Sequence, residues 1–326
     1  MASNKTSAYK FVSVVIPTYN RKDLLKDCLE SLFNQNYPKD MYEIIVVNDG
    51  STDGTEEVLE EYEKKSPCRF KWFTQQNRGS YAARNLGIEN AEGEIICFID
   101  DDCIADRNWI KNLVKCFSDE EVGGVGGKNI AHAPETIVGR YAKKNILLDY
   151  QKRLALNSQG YLFHIITSNA AYKRNVLRKI RGFDTNFRSG GDIDLSIRVQ
   201  LEGFKLKYCP EAVVYFKHRT TIKGLLKQFY GYSKGRIRLH KKYRKNYSPL
   251  NILLKFCRRL IARILAIPYR LLKLYSAKDK TLYISELFID VLIYAVMIVG
   301  VIKEAYLNRE YSGEVYDIEL EKFISV

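Results

Sequence analysis

The sequence lacks the marks of several familiar chemistries. Its seven cysteines, at 28, 68, 97, 103, 116, 209 and 257, include no C-x-x-C pair, and their number is odd. That pattern excludes a zinc ribbon and a thioredoxin-type redox pair, and it forms no disulfide framework. It suits free thiols in a reducing, cytoplasmic compartment. The four histidines show no H-x-x-x-H pair and no cysteine partners, which argues against structural zinc. The opening residues MASNKTSAYK hold no apolar stretch of the kind a secretory signal needs. No internal repeat is visible. The glycine-rich run Glu121-Val-Gly-Gly-Val-Gly-Gly127 is strand-like, and no helix comes directly after it, so it is not a dinucleotide-binding loop.

Acid is also missing from one long stretch. Lys217 to Tyr275 contains 17 Lys or Arg and no Asp or Glu, against a net charge of +14 for the whole chain. The remainder therefore carries about −3, and the basicity is regional. With 326 residues, of which 46% are hydrophobic, the chain can build one large domain with an appendage, or two domains.

What is present is a series of apolar strands that end in polar residues. Phe11 to Ile16 reads as a buried strand, closed by Pro17-Thr-Tyr-Asn20, and a helix comes next over Lys22 to Asn36. Glu43 to Val47 ends in Asn48-Asp49-Gly50, where turn formers cluster, and a helix runs from Thr55 to Lys65 with Asp53 as its cap. Phe70 to Thr74 is a third strand, and Ser80 to Asn90 the next helix. Ile95 to Ile99 is the fourth strand and stops at Asp100-Asp101-Asp102. Such alternation predicts a doubly wound, mainly parallel α/β sheet flanked by helices. In such sheets ligands bind at the carboxyl ends of the strands. Thr18, Asn20, Asp49 and the aspartate triplet should share that edge.

The triplet is the sharpest of these features. Adjacent carboxylates repel, so a positive partner is expected. A hard divalent cation, Mg2+ or Mn2+, is the simplest candidate. If the strand alternation continues, Asp100 and Asp102 point the same way. The plainer reading is a polar turn in which Asp102 caps a following helix.

Further along, Tyr141 to Leu156 reads as a helix and Phe163 to Thr167 as a short strand. A helix over Asp194 to Glu202 comes after Gly191-Asp192, with Asp194 resembling its N-cap. The strand Val213 to Phe216 leads to His218. From Leu250 to Tyr275, apolar residues alternate with cations around Pro268, as in basic amphipathic helices that lie in a membrane interface. Ile284 to Ile302 is strongly apolar but contains Glu286 and Asp290, which are costly in a bilayer. It can span, embed in or only touch a membrane. The expected organisation is a tail over 1–10, a catalytic domain over 11–235, and a helical membrane-associating region over 236–326.

Taken together, Val12-Ser-Val-Val-Ile-Pro-Thr-Tyr-Asn-Arg21, Val46-Val-Asn-Asp-Gly-Ser-Thr-Asp-Gly-Thr55, Asn77-Arg-Gly-Ser-Tyr-Ala-Ala-Arg-Asn-Leu-Gly87, Phe98-Ile-Asp-Asp-Asp102, Gly182-Phe-Asp184 and Asp192-Ile-Asp-Leu195 carry a resemblance. Over about residues 10–235 the chain resembles the family 2 glycosyltransferases, which have the GT-A fold. The resemblance implies inverting, metal-dependent transfer of a sugar from a UDP- or GDP-sugar to a glycan or lipid-linked acceptor. It implies donor-binding roles for Pro17, Thr18, Tyr19, Asn20, Asp49, Arg84, Asp100 and Asp101, with Asp49 on the base and Arg84 near the diphosphate. Asp100 and Asp102 would form the D-x-D pair. Asp102 would ligate Mg2+ or Mn2+, and His218 is a further metal candidate. Asp101 would be a solvated or supporting carboxylate. The family's acidic Glu-Asp motif is Gly191-Asp192 here, so Asp192 is the expected general base and Asp194 the alternative.

Two other readings compete. One is a nucleotide-sugar-binding protein without turnover, suggested by the missing Glu. The other is a nucleic-acid-binding protein using the basic stretch, in which Tyr230, Tyr232, Tyr243 and Tyr247 are interleaved with the cations. Apolar amphipathic sequence adjoins that stretch, and no nucleic-acid-binding motif is present. An anionic membrane surface, at the inner face of the cell membrane, is therefore the more economical partner, and no nucleic acid is expected.

Overall fold

A computed structural model describes residues 9–147, 164–243, 248–307 and Tyr316. The chain forms two compact units. The first comprises Met1–Ile130, Leu154–Thr185 and Asp192–Phe216; the second comprises Ala131–Arg153, Asn186–Gly191 and Lys217–Val326. Among the described residues the strands are β1 (Val12–Thr18), β2 (Tyr42–Asn48), β3 (Arg69–Thr74), β4 (Ile95–Ile99), β5 (Cys103–Ala105), β6 (Val122–Ala131), β7 (Asn169–Lys173) and β8 (Lys205–Phe216). The α-helices are α1 (Lys22–Phe33), α2 (Thr55–Lys65), α3 (Ser80–Glu89), α4 (Trp109–Lys115), α5 (Ile137–Ala142), α6 (Arg174–Lys179), α7 (Gly191–Leu201), α8 (Ile222–Tyr243), α9 (Pro249–Leu265), α10 (Ile267–Leu272) and α11 (Lys280–Ile302).

The first unit is one mixed sheet in the order β3-β2-β1-β4-β7-β6-β8-β5. β1 pairs in parallel with β2 and β4, and β2 with β3. β7 is antiparallel to both β4 and β6, and β5 to β8. Every residue of β1, β2 and β4 is buried, as continuous apolar runs require when helices cover both faces. Leu25, Cys28, Leu29 and Leu32 of α1 fill one side with Val58, Leu59 and Tyr62 of α2. All seven cysteines are free thiols.

Several sequence expectations shift. β5, three residues long, was not foreseen, and β8 begins well before Val213. The strand expected over Phe163 to Thr167 does not form in its described part: residues 164–168 are irregular and β7 starts at Asn169, while Phe163 lies outside the described residues. Of the helix expected over Tyr141 to Leu156, the described part is the end of α5 and a wider turn over Lys143–Leu147; residues 148–156 lie outside the described residues. Asp53 does not cap α2, whose N-cap is Gly54 with φ 86°. It accepts the Lys22 N–H at 3.1 Å and so caps α1 from the neighbouring loop. Asp194 lies inside α7, fully buried, with Arg198 Nη2 at 2.8 Å one turn on; it is an ion-pair partner rather than a cap.

The second unit is helical. α8 runs through residues 235 and 236 without a break. Pro268 sits at the start of α10, where its missing N–H costs no helical hydrogen bond. α11 packs on α8 and α9. Where it crosses α8, a Cβ on Gly300 would stand 2.1 Å from Ser233 Oγ, so the close approach requires glycine. Tyr141, Leu225, Ile289 and Ile293 form one core cluster, and Ile237, Phe256 and Val301 another.

Candidate active site

Parallel pairing brings the polar strand ends together. Thr18 is level with Asn48, and Val15 with Phe98, so the residues after β1, β2 and β4 leave from one edge of the sheet. β7 enters at that edge, with Asn169 opposite Ile99. Asn169 is locked there: its Oδ1 accepts from Trp109 Nε1 at 2.8 Å, and its Nδ2 donates to the carbonyls of Lys128 and Ala212.

The aspartate triplet is held by two arginines. Arg84 donates to Asp100 Oδ1. Arg21 Nη1 donates to Asp101 Oδ1 at 2.9 Å and to Asp102 Oδ2 at 3.1 Å. Thr18 Oγ1 donates to Asp101 Oδ2 at 2.9 Å. Burial lowers the affinity of the Arg21 guanidinium for its proton, but the charges of Asp101 and Asp102 outweigh it and hold the group firmly cationic. Part of the positive charge that mutual repulsion calls for is therefore supplied by the chain itself. β4 ends at Ile99 and the chain turns over Asp101 and Asp102, so strand alternation does not pair Asp100 with Asp102. The turn leads into β5, not into a helix, so Asp102 is not a helix cap. Asp101 is not solvated either. It is 3% exposed, and burial raises its carboxyl against the pull of Arg21 and Thr18. Arg21 is the residue that sequence reasoning missed. The available signal was a single cation directly after the Pro17-Thr-Tyr-Asn20 loop.

The neighbouring loops are tied to one another. Pro17 is buried in β1 opposite Val47, whereas Tyr19 is exposed. Asn20, in the left-handed region at φ 52°, accepts the Thr52 N–H at 2.7 Å, and its own N–H reaches Ser51 Oγ. The buried Asp49 carboxylate accepts from Gln75 Nε2 at 2.6 Å and from the N–H groups of Arg78 and Gly79, both at 2.8 Å. It therefore organises the loop leading into α3. Three donors on a carboxylate leave Oδ2 with further acceptor capacity.

Arg84 pairs with Asp100, and its charge also acts on Asp192. Its guanidinium is buried over the rings of Tyr81 and Phe183, which stack with centroids 5.3 Å apart. Its Nε–H has no acceptor among the described residues. Asn85 exchanges hydrogen bonds of 2.8 Å with both the N–H and the carbonyl of Phe183. The preceding Gly182, at φ 64°, has no room for a Cβ beside Asn85. Asp192 opens α7, and its Oδ1 accepts the Ile193 N–H at 3.0 Å. Burial pushes its carboxyl above the ordinary aspartate range. The Ile193 N–H and the Arg84 charge pull it back, while Asp100 adds to the rise. The edge of the sheet thus gathers Thr18, Arg21, Arg84, Asp100, Asp101 and Asp102, and the charges of Arg84 and Asp100 reach Asp192.

His218 belongs to the second unit. Burial, with Arg219 and Lys143 adding to it, lowers its pKa to about 4, so the imidazole is neutral at physiological pH. Among the described residues no group of three His, Cys, Asp or Glu is arranged to hold a metal ion. The oxygen donors of Asp100 and Asp102 still fit Mg2+ or Mn2+. Mg2+ in particular is commonly held by one or two carboxylates together with substrate phosphates and water, not by a full protein cage.

The comparisons agree with this architecture. The model of the family described as "Glycosyl transferase family 2" matches residues 13–181, a segment that ends before Asp192. The chain is 31% identical over 226 residues to the glycosyltransferase AglE of Haloferax volcanii, covering 69% of this chain and 72% of that protein. It is 30% identical over 239 residues to a dolichyl N-acetyl-alpha-D-glucosaminyl phosphate 3-beta-D-2,3-diacetamido-2,3-dideoxy-beta-D-glucuronosyltransferase of Methanococcus voltae, covering 69% and 73%. Among solved structures, a mannosyltransferase of Pyrobaculum calidifontis in complex with GDP-Man and Mn2+ superposes with a TM-score of 0.66 at 20% identity, covering 93% of this chain and 89% of that one. At that identity the likeness is one of fold, and the fold is GT-A. The strand-end motifs, their convergence on one sheet edge and the matched relatives lead to one conclusion: the chain belongs to glycosyl transferase family 2 and is a glycosyltransferase.

Proposed function

We propose that the β1–β4 edge binds a UDP- or GDP-sugar and transfers its sugar, with inversion, to a hydroxyl of a glycan or lipid-linked acceptor. The observation that carries this reading is the aspartate triplet at the strand ends, held by Arg21 and Arg84, with the charges of Arg84 and Asp100 also felt at the Asp192 carboxyl. The names of relatives support it. The Pyrobaculum calidifontis enzyme was solved with GDP-Man and Mn2+, and S. aureus TarS, with a TM-score of 0.53, with UDP-GlcNAc. The Methanococcus voltae enzyme is named for a dolichyl phosphate-linked sugar.

In this reading the acceptor oxygen attacks the anomeric carbon, the carbon–oxygen bond to phosphate breaks, and the nucleoside diphosphate leaves. Asp192 takes the acceptor proton; its raised pKa makes it a stronger base than an ordinary aspartate. Arg84 turns its unfilled Nε–H and buried charge toward the diphosphate. Thr18 and Tyr19 line the nucleotide pocket with Pro17 and Asn20, and Asp49 offers its remaining acceptor capacity to the base. Asp102, with Asp100, would hold Mg2+ or Mn2+, which supplies electrostatic stabilisation of the leaving diphosphate. Arg21 holds Asp101 and Asp102 in place. The enzyme works on the cytoplasmic side, at the inner face of a membrane.

A panel of UDP- and GDP-sugars with Mg2+ or Mn2+, assayed for release of nucleoside diphosphate, tests the proposal. At least one donor should turn over, and turnover should collapse in Asp192→Asn. If the intact chain neither binds nor cleaves any sugar nucleotide with either metal, the proposal fails.

A further inference from the structure

The last three helices show which kind of membrane contact the chain is built for. By length and composition α11 and the turn after it, Lys280–Leu307, are long and apolar enough to cross a bilayer. Its surface is sharply divided, however. Ile284, Phe288, Leu292, Val299, Ile302 and Tyr306 are exposed. At ~100° per residue they fall within about 80° of the helix circumference, a single stripe along the whole length. Glu286, Asp290 and Glu304 lie on the opposite face, and each is engaged. Lys144 Nζ is 2.7 Å from Glu286. Arg263 and Arg270 reach Asp290 at 3.5 and 3.3 Å, and Tyr141 donates to it at 2.7 Å. Lys234 and Arg238 hold Glu304. The helix is thus clamped near its start, in its first half and just past its end to α8, α9, α10 and the turn after α5.

A spanning helix would have to leave these partners or carry their cations through hydrocarbon, and both courses are costly. The remaining surface has the character of a membrane interface. α9, which packs on α11, exposes a stripe of its own: Leu250, Leu254, Ile261, Ile264 and Leu265. On α10 and the turn after it, Leu272 is 81% and Tyr275 91% exposed. Lys273 Nζ stands 4.5 Å from the centre of the Tyr269 ring, and Lys280 Nζ 5.7 Å from that of Tyr275; amphipathic rings beside cations are typical of the headgroup level. From Pro249 to Leu307 the sequence has nine Lys or Arg against four Asp or Glu, and three of those acids are the clamped ones.

We infer that α9, α10 and α11 lie in the plane of a bilayer bearing anionic headgroups, with the two apolar stripes dipped into one leaflet, and that α11 does not cross it. This deepens the membrane association proposed above and is independent of the transfer chemistry. The occupant is set by charge: a basic surface around an apolar stripe matches anionic lipid.

The test places tryptophan at Ile284, Leu292 or Ile302 in the full chain. Quenching is read in vesicles of phosphatidylcholine and phosphatidylglycerol brominated either near the headgroups or near the chain ends. The unsubstituted chain supplies the background from Trp72 and Trp109. In-plane burial of about 5–10 Å predicts equal quenching of all three positions by the shallow bromines and little by the deep ones. Phe288→Glu with Leu292→Glu should weaken partition onto these vesicles about tenfold or more, while sugar-nucleotide binding measured without vesicles is unchanged. A depth that passes through the bilayer centre between Ile284 and Ile302 overturns the inference in favour of spanning. Absence of quenching, with the chain self-associating through the stripe, overturns it in favour of a second copy. If vesicle binding holds while no sugar nucleotide binds, it is the transfer reading that has failed.

Discussion

The two units each bury a group of carboxylates against cations, and they do so in opposite ways. In the first unit Asp100, Asp101 and Asp102 are consecutive and leave one strand end together. In the second, Glu286, Asp290 and Glu304 are spread along one face of a helix and its extension. The consecutive acids cannot separate, so they create a dense negative field that Arg21 and Arg84 only partly cover. With a divalent cation bound, as proposed above, that arrangement would serve phosphate chemistry. The dispersed acids each meet a cation from a different element, so they fix how α11 packs and which face it leaves outward. A cluster contiguous in sequence makes a site, and a cluster assembled from several elements makes a clamp.

Substitutions can break this comparison. Arg21→Gln should have the largest effect on stability. It strips a cation from two buried carboxylates and should cost about 3 kcal/mol, read as a lowered midpoint in denaturant or heat. Asp102→Asn should leave the fold nearly intact but reduce turnover about 10²–10³-fold, the scale of losing one electrostatic contributor to the transition state. Asp101→Asn should do the reverse: milder in turnover, but less stable, because Asp101 anchors both Thr18 and Arg21. Equal kinetic loss from the two would show that the triplet does not divide in this way. In the clamp, Glu286→Gln removes a charged hydrogen bond from Lys144 and should cost about 2 kcal/mol, with donor binding unaffected. If Glu286→Gln is silent, the Lys144 pair does not help to hold α11.

The smallest effect is a pH dependence. The general base must be ionised to work, so transfer should fall as pH drops through the raised pKa of Asp192. The acid limb should therefore lie above the ordinary aspartate value of about 3.9. A limb at or below that value would mean that the base is more exposed than the structure places it.

Much of this was legible in the sequence, for a specific reason. β1, β2 and β4 are short continuous apolar runs closed by polar residues, so their existence, parallel pairing and shared edge could be read directly. β5 is too short to show a period, and Pro210 inside β8 argues locally against a strand, so only the end of β8 was read. For the site, the aspartates and Arg84 stood out because residue type and position coincided. Arg21 did not, since one cation after a turn carries no pattern. Its role depends on a contact across 80 residues of chain. The same limit explains the caps: Asp53 looked local to α2, yet it serves α1 through a neighbouring loop.

The most direct measurement is a comparison of Asp192→Asn with the parent chain, using the sugar nucleotide found by screening. Donor Kd should stay within about threefold while transfer to the acceptor falls about 10²–10⁴-fold, as expected for loss of a general base. Transfer within tenfold of the parent would contradict the account and move the base elsewhere.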